Sequence, residues 1–171
     1  YIVINISSPN TPNLRVLQNT EELDHLLSTL KSEQIKLTKD YGKYTPLVVK
    51  IAPDLDLTQV ASIATLLIKH KIDGVIATNS TLSRGEVENL PNSKESGGLS
   101  GSPLTKTATN IIRQLHAVLQ DAIPIIGVGG IMCASDAQEK IDAGASLIQI
   151  YTGLVYQGPE LVRDAVKIFC K

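Results

Sequence analysis

The sequence predicts an α/β fold in which β-strands and α-helices alternate along the chain. Three observations support this prediction. Short apolar runs recur, and continuous apolar runs are typical of strands that are buried on both faces. Each run is followed by a segment with the apolar periodicity of a helix. Small polar residues and glycines gather where the runs end, which is the edge at which parallel α/β sheets carry their sites.

Five strands are predicted, one for each apolar run. No GxGxxG turn follows the first of them, which disfavours an open dinucleotide-binding sheet. The predicted strands are 1–7 (YIVINIS), 46–52 (PLVVKIA), 73–79 (DGVIATN), 124–130 (PIIGVGG) and 146–152 (SLIQIYT).

A helix with an apolar face is predicted after every strand. Side chains that accept backbone N–H groups mark the starts, and a glycine marks one of the ends. The predicted helices run from an Asn19 or Thr20 cap through Leu30, from an Asp56 cap through Leu67, from about Leu104 to Leu119, from an SDAQ capping box at 135–138 to just before Gly144, and from Pro159 to Phe169.

Alternating strands and helices build a parallel sheet with right-handed connections. A complete (β/α)8 TIM barrel needs eight βα units in about 250 residues, whereas this chain offers five units in 171 residues. We therefore expect the C-terminal five βα units of such a barrel, forming a single domain over residues 1–171, with the first three strands absent before Tyr1.

Charge and composition argue against several classes of function. The chain has 16 Lys and Arg against 17 Asp and Glu, no Trp and one Phe, so we expect no nucleic-acid surface. No apolar run reaches the ~18 residues that a membrane span needs. The two cysteines, Cys133 and Cys170, form neither a metal-binding spacing nor a disulfide framework, which is typical of a reducing compartment.

The strand ends offer one lysine, several neutral amides and several glycines. Lys50 lies within the apolar run LVVKIA and faces either outward or into the interior; we expect it to face inward and meet an anion, because a charge buried under a helix is costly. Gly129-Gly130 after the fourth strand and Thr152-Gly153 after the fifth are typical of a phosphate cradle, although paired glycines also occur in ordinary turns.

These groups together favour a phosphorylated cofactor, and FMN fits them. A lysine near the reduced flavin ring would stabilise its negative charge, and asparagine amides match the N–H and C=O groups of a pyrimidine dione. No carboxylate pair, metal-ligand cluster or Ser-His-Asp arrangement is expected at the strand ends, so hydrolysis and a metal site are disfavoured. The three histidines fall in helices and are expected to be structural: His25, His70 and His116.

Six motifs, in this order and spacing, resemble the C-terminal half of the dihydroorotate dehydrogenase family: INISSPNTPNLR, VKIAPD, GVIATN, GGLSG, IIGVGGI and IQIYTGL. The resemblance covers essentially the whole chain and is strongest to class 2, the quinone-reducing enzymes. It implies FMN-dependent oxidation of dihydroorotate to orotate in pyrimidine (UMP) biosynthesis. It also implies a peripheral position on the cytoplasmic side of the cell membrane, through an N-terminal extension that is absent here.

The resemblance implies a role for individual residues as well. Ser8 takes the position of the catalytic base, where class 1 enzymes carry Cys, and Thr11 or water would pass its proton onward. The long segment 81–100 is expected to form a mobile lid or a flavin cover. The implied substrate-binding residues are Asn5, Asn10, Asn79 and Ser80. The implied FMN-binding residues are Asn5, Lys50, Thr78, Gly101, Gly130, Tyr151 and Thr152.

Two alternatives stay open. The first is another FMN-barrel oxidoreductase, such as a class 1 dihydroorotate dehydrogenase or a related pyrimidine reductase, and Ser8 in place of Cys counts against it. The second is an inactive half-barrel that binds phosphate or assembles with a partner chain. If residues 1–171 are the whole molecule, exposed strand edges predict pairing between copies and weak or no flavin binding.

Overall fold

A computed structural model describes residues 1–169 of the chain; Cys170 lies outside the described residues. All five predicted strands are present, and each is shorter than the apolar run that predicted it. They lie in sequence order in one sheet, and every neighbouring pair is parallel. The predicted fold, consecutive βα units of a partial barrel, is therefore confirmed. The strands are β1 Ile2–Asn5, β2 Leu47–Ile51, β3 Gly74–Ala77, β4 Ile125–Val128 and β5 Leu147–Gln149.

Six α-helices lie within residues 1–169, and three short 3-10 turns accompany them at 14–18, 85–87 and 102–104. None of these helices combines the length and the apolarity that are needed to cross a membrane. The helices are α1 Thr20–Tyr41, α2 Leu57–Lys69, α3 Thr105–Leu119, α4 Ala134–Asp142, α5 Thr152–Gln157 and α6 Glu160–Phe169.

Two helix starts test the capping predictions. The Asp56 cap is confirmed, since its Oδ1 atom accepts the Gln59 N–H at 2.8 Å while Gln59 Oε1 accepts the Asp56 N–H at 3.0 Å. The SDAQ box is wrong by two residues, because α4 is capped by Cys133, whose N–H donates to Asp136 at 3.1 Å. The same carboxylate oxygen also accepts the Met132 N–H at 2.8 Å, so Asp136 fixes the start of the helix at Cys133 rather than at Ser135.

The three inner strands, β2 to β4, bury both of their faces, and the two faces form separate clusters. On one face the side chains pack against the helices, and this cluster includes Val49, Ile51, Val75, Ala77 and Ile125. On the other face Val48, Ile76, Ile126 and Val128 contact one another and form the barrel interior. Because side chains alternate along a strand, Lys50 lies on the interior face, between the two helix-facing residues of β2.

The sheet is open at both edges within residues 1–169. Ile2 on β1 is 52% exposed and Leu147 on β5 is 57% exposed, although both belong to apolar strands. Unpaired strand edges with apolar side chains favour association with further strands. The two edges of the sheet are therefore accessible, whereas the apolar interior side chains of β2 to β4 stay buried.

Candidate active site

A cleft lies at the carboxyl edge of the sheet, where the strands lead into their loops. Its volume is about 360 Å3, which is enough for a bound organic molecule. Its wall comes from the ends of β2 to β5, from Asn10 and from the segment 98–104. The structure brings together in this wall every predicted site residue except Asn5 and Ser8: Asn10, Lys50, Thr78, Asn79, Ser80, Gly101, Gly130, Tyr151 and Thr152.

Lys50 provides the charge of the cleft. Its side chain is half-buried on the interior face, so the inward orientation is the one observed. Among residues 1–169, no carboxylate lies within ion-pair distance of its ammonium group. Burial lowers the pKa of the Lys50 ammonium below its usual value. An anionic group bound in the cleft would relieve this cost, because it would supply the missing partner.

Asn5, Ser7 and Asn79 form a hydrogen-bonded network at the ends of β1 and β3. Asn5 Oδ1 accepts bonds from Ser7 N at 3.2 Å and from Asn79 Nδ2 at 3.1 Å. The buried Ser7 hydroxyl donates to the Lys50 carbonyl oxygen at 2.6 Å and accepts from Asn79 Nδ2 at 3.1 Å. Ser7, to which the sequence assigned no role, therefore connects three strand ends. Within residues 1–169 the Asn5 amide N–H groups have no hydrogen-bond acceptor, so they remain available to a ligand.

Ser8 lies beside the cleft, next to Asn10. Its hydroxyl accepts the Asn10 N–H at 3.3 Å, and it is half-buried. No hydrogen bond joins it to Thr11 within residues 1–169, so the relay through Thr11 stays a prediction. Asn10 itself reaches the cleft, and its Oδ1 atom accepts the Gly98 N–H at 3.1 Å. Ser8 is thus held at the rim, on the segment that also carries Asn10.

The glycine turn after β4 packs directly on the start of α3. Gly130 has φ +71°, and a Cβ atom there would lie 2.3 Å from Thr105 N, so no side chain fits. The Thr105 hydroxyl donates to the Gly130 carbonyl at 2.7 Å. Gly101 lies close to Thr152, whose hydroxyl contacts Ser100 Oγ at 2.9 Å. Backbone from three loops therefore converges at one end of the cleft, where such loops can hold an anion through their N–H groups.

The end of the segment 81–100 packs against the cleft, where Gly98 and Ser100 belong to the wall. Thr81 and Leu99 pair through two backbone hydrogen bonds of 3.0 and 2.8 Å, and the Arg84 guanidinium donates to the carbonyls of Glu95 and Gly97. Gly98 contacts the site most tightly, since a Cβ atom there would lie 1.9 Å from Ser80 Oγ and 2.7 Å from Pro9 Cγ. The structure thus places the end of this segment in the wall of the cleft, and its roles as a mobile lid or a flavin cover stay predictions.

Some residues of the cleft were not found from the sequence. Gln149 pairs with Val128 in the register of β4 and β5, so its side chain lies on the interior face and reaches the cleft. The strand alternation would have identified Gln149 if the limits of β5 had been known. Gly98 and Ser100 belong to an irregular loop, and no local pattern indicates where such a loop folds back.

The three histidines lie outside the wall of the cleft. His70 Nε2 lies 2.5 Å from Asp24 Oδ1 and connects the end of α2 to α1. His116 on α3 packs under Gly144, where a Cβ atom would lie 2.3 Å from its ring. Cys133 is exposed and caps α4. These positions support structural roles for His70, His116 and Cys133.

Consecutive parallel βα units with a ligand-sized cleft at their carboxyl ends place the chain among the β/α-barrel proteins that bind small molecules. The family described as dihydroorotate dehydrogenase matches residues 1–168. The chain is 64% identical over 170 residues to a protein of Nitrosospira multiformis and 60% identical over 170 residues to one of Nitrosomonas europaea. Both are named dihydroorotate dehydrogenase (quinone), and the alignments cover 99% of this chain but 49% and 50% of theirs.

A solved structure supports the same relationship. The dihydroorotate dehydrogenase of Eimeria tenella, in a crystal structure with ferulenol, superposes with a TM-score of 0.92 at 36% identity over 98% of this chain and 48% of that one. The chain therefore belongs to the dihydroorotate dehydrogenase family, and the names of its bacterial relatives confirm the resemblance to the quinone-reducing class. It spans about half the length of the curated relatives it matches.

Proposed function

We propose that the protein containing this chain oxidises dihydroorotate to orotate in pyrimidine (UMP) biosynthesis, with FMN as hydride acceptor and a quinone as final electron acceptor. The observation that carries the proposal is the content of the cleft: one ammonium group, Lys50, that has no carboxylate partner within residues 1–169, surrounded by neutral amides and hydroxyls. An ammonium group with neutral amides and hydroxyls suits the oxidation of a ring that carries N–H and C=O groups. Hydrolysis would instead need an activated nucleophile or a carboxylate pair.

The cleft fits FMN at its two chemically distinct ends. The glycine turn at 129–130 and the nearby loops would supply backbone N–H groups to a phosphate, and Lys50 would supply a positive charge to a ring. Held by these residues, FMN would supply the acceptor for the hydride at C6 of dihydroorotate. Lys50 would stabilise the negative charge of the reduced ring, because a partly desolvated ammonium interacts strongly with a nearby anion. The proposed FMN-binding residues are Asn5, Lys50, Thr78, Gly101, Gly130, Tyr151 and Thr152.

The neutral polar side chains suit the pyrimidine ring of dihydroorotate. The free N–H groups of Asn5 and the side chain of Asn10 can bond to ring carbonyls and N–H groups. Asn79 is fixed by its bonds to Asn5 and Ser7, and its Oδ1 atom accepts the Ser80 N–H at 2.9 Å. We propose Asn5, Asn10, Asn79 and Ser80 as the substrate-binding set, oriented before the ligand arrives.

Ser8 would remove the proton from C5 of dihydroorotate. A serine hydroxyl is a weak base, so it must pass the proton onward in a site that excludes bulk water. The cover formed by Gly98 over Pro9 supports this role, because it packs on the residue next to Ser8. Removal of this proton and of the C6 hydride together leaves the C5–C6 double bond of orotate.

The exposed side chains of helix α5 favour an apolar electron acceptor. It begins at Thr152 in the cleft wall, and Val155 and Tyr156 on its surface are 76% and 74% exposed. An exposed apolar surface beside a redox site suits a quinone, whose ring and tail are apolar. Since quinones reside in bilayers, we also propose that the protein works at the cytoplasmic face of the cell membrane.

Acceptor specificity tests this proposal. The complete gene product that contains these residues should form orotate from dihydroorotate with a short-chain ubiquinone analogue, and much more slowly with fumarate or NAD. Faster turnover with fumarate or NAD would assign the protein to another FMN-barrel class. Absence of orotate formation with all three acceptors would refute the proposed reaction.

A further inference from the structure

Arg15 connects three successive loops at the carboxyl edge of the sheet. Its Nε atom donates to the Ser7 carbonyl at 3.1 Å, and Nη2 donates to the Ser80 carbonyl at 2.9 Å. Its Nη1 atom forms an ion pair with Asp54 Oδ2 at 2.7 Å. Ser7 follows β1, Asp54 follows β2 and Ser80 follows β3. One guanidinium group therefore uses each of its three nitrogens on a different loop.

Asp54 extends these contacts into the segment 81–100. Its Oδ1 atom accepts the Thr81 hydroxyl, and its Oδ2 atom accepts the Leu82 N–H at 3.1 Å. The side chains of Arg15 and Asp54 are 21% and 26% exposed, so the pair is partly shielded from water and its geometry is restricted. The start of the segment 81–100 is thus attached to the same ion pair as the loops after β1 and β3.

Neither side chain lines the cleft. Arg15 acts on the main chain beside residues with a proposed role, since Ser7 precedes Ser8 and Ser80 follows Asn79. Two carbonyl groups and one carboxylate, in fixed directions, match the planar fork of a guanidinium, whereas the compact ammonium of a lysine cannot reach all three.

We propose that Arg15 is a positioning residue for the oxidation of dihydroorotate. Its guanidinium sets the spacing between the Ser8 loop and the Asn79-Ser80 loop, and Asp54 fixes the guanidinium while it attaches the segment 81–100. The inference rests on the proposed function, because the spacing matters only if Ser8 acts as the base on one side of the substrate while Asn79 and Ser80 bind it on the other. Loss of the fork would misplace these groups without removing any of them.

The test is Arg15→Lys in the complete gene product, with Arg163→Lys as the matched control, because Arg163 is an exposed arginine on α6. Rapid-mixing measurements give the rate at which dihydroorotate reduces the bound flavin, and amide hydrogen exchange reports on the loops. We expect the Arg15→Lys protein to retain its flavin and the melting temperature of wild type. Dihydroorotate should reduce its bound flavin about ten- to a hundredfold more slowly than the flavin of wild type. Exchange should accelerate at the amides of Ser7, Ser80 and Leu82 and not in β4, and Arg163→Lys should match wild type.

Two results would overturn the proposal. A reduction rate equal to wild type would show that the spacing does not depend on the guanidinium. Loss of flavin with faster exchange throughout the sheet would show that Arg15 stabilises the whole fold rather than the loops. If the wild-type protein itself is not reduced by dihydroorotate, the proposed function fails, and exchange alone decides the role of Arg15: acceleration confined to the three loops supports it, and unchanged exchange refutes it.

Discussion

Lys140 provides the most quantitative prediction, because its charge is buried completely. The side chain has 0% exposure, and its ammonium group donates to the Thr105 carbonyl at 2.8 Å and to Thr109 Oγ1 at 2.5 Å. Both acceptors are neutral. Burial lowers the pKa of Lys140 from 10.5 to about 8, although Asp136 and Glu139 act in the opposite direction.

The magnitude follows from this change in pKa. One pKa unit corresponds to about 1.4 kcal/mol, so a fall from 10.5 to about 8 corresponds to about 3 kcal/mol. Below pH ~8 the lysine is protonated in both the folded and the unfolded chain, so the buried charge lowers the free energy of unfolding by its full amount. Between pH ~8 and ~10.5 the folded chain releases the proton while the unfolded chain keeps it, so stability rises with pH.

Lys140→Met isolates this effect. Methionine fills a similar volume without a charge, and the Thr109 hydroxyl still donates to the Thr105 carbonyl at 2.7 Å, so no polar group loses its only partner. The free energy of unfolding, measured in urea from pH ~7 to ~10, should rise in wild type relative to the variant by about 2 kcal/mol. Lys36→Met, at an exposed lysine of α1, is the control and should keep the pH dependence of wild type. A difference between wild type and Lys140→Met that stays constant with pH would show that the pKa of Lys140 is not lowered by burial and that water reaches the ammonium.

Three further predictions concern the cleft of the complete gene product. Ser8→Ala should slow flavin reduction by dihydroorotate about a hundredfold or more with FMN still bound, and an unchanged rate in rapid-mixing experiments would exclude Ser8 as the base. Lys50→Ala should weaken FMN binding about tenfold or more, because a charge-assisted contact is lost; unchanged FMN retention on dialysis and an unchanged flavin potential would leave Lys50 with a structural role only. Gly98→Ala should lower orotate affinity about tenfold, since its new methyl group would overlap Ser80 and Pro9. Gly85→Ala, where a Cβ atom meets nothing within 4 Å, is its control, and equal orotate affinity in the two variants would contradict the account of the segment 81–100.

The sheet and its polar edge could be predicted because their signals are local. Each strand is a continuous apolar run, and its end is marked by a change to small polar residues or glycine. The Asp56 capping box is also local, since both of its hydrogen bonds join residues three positions apart. These features depend on neighbouring residues, so the sequence contains all the information that they require.

The helix limits were predicted less well where packing decides them. The second half of α1 has few buried apolar residues, and the prediction ended it near Leu30; the helix continues to Tyr41, where Gly42 at φ +67° ends it. Helix α5 was missed, because it has only six residues and exposes most of its apolar side chains. Neither segment shows the apolar stripe by which a helix is recognised in a sequence.

The contacts that shape the site could not be predicted from the sequence, for a different reason. Arg15 and Ser80 are 65 positions apart, and Lys140 and Thr105 are 35 positions apart. Their partners are carbonyl groups, which every residue carries, so no residue type signals the pairing. The candidate site could therefore be predicted as a set of strand-end residues, but the bonds that fix their spacing required the structure.

We propose above all that the cleft binds FMN and that dihydroorotate reduces the bound flavin. The most direct measurement is the absorption spectrum of the complete gene product, before and after anaerobic addition of dihydroorotate. We expect a flavin band that bleaches, with one orotate formed for each flavin reduced. A protein that binds FMN but keeps its flavin band after dihydroorotate is added would contradict the account, and so would a protein that binds no FMN.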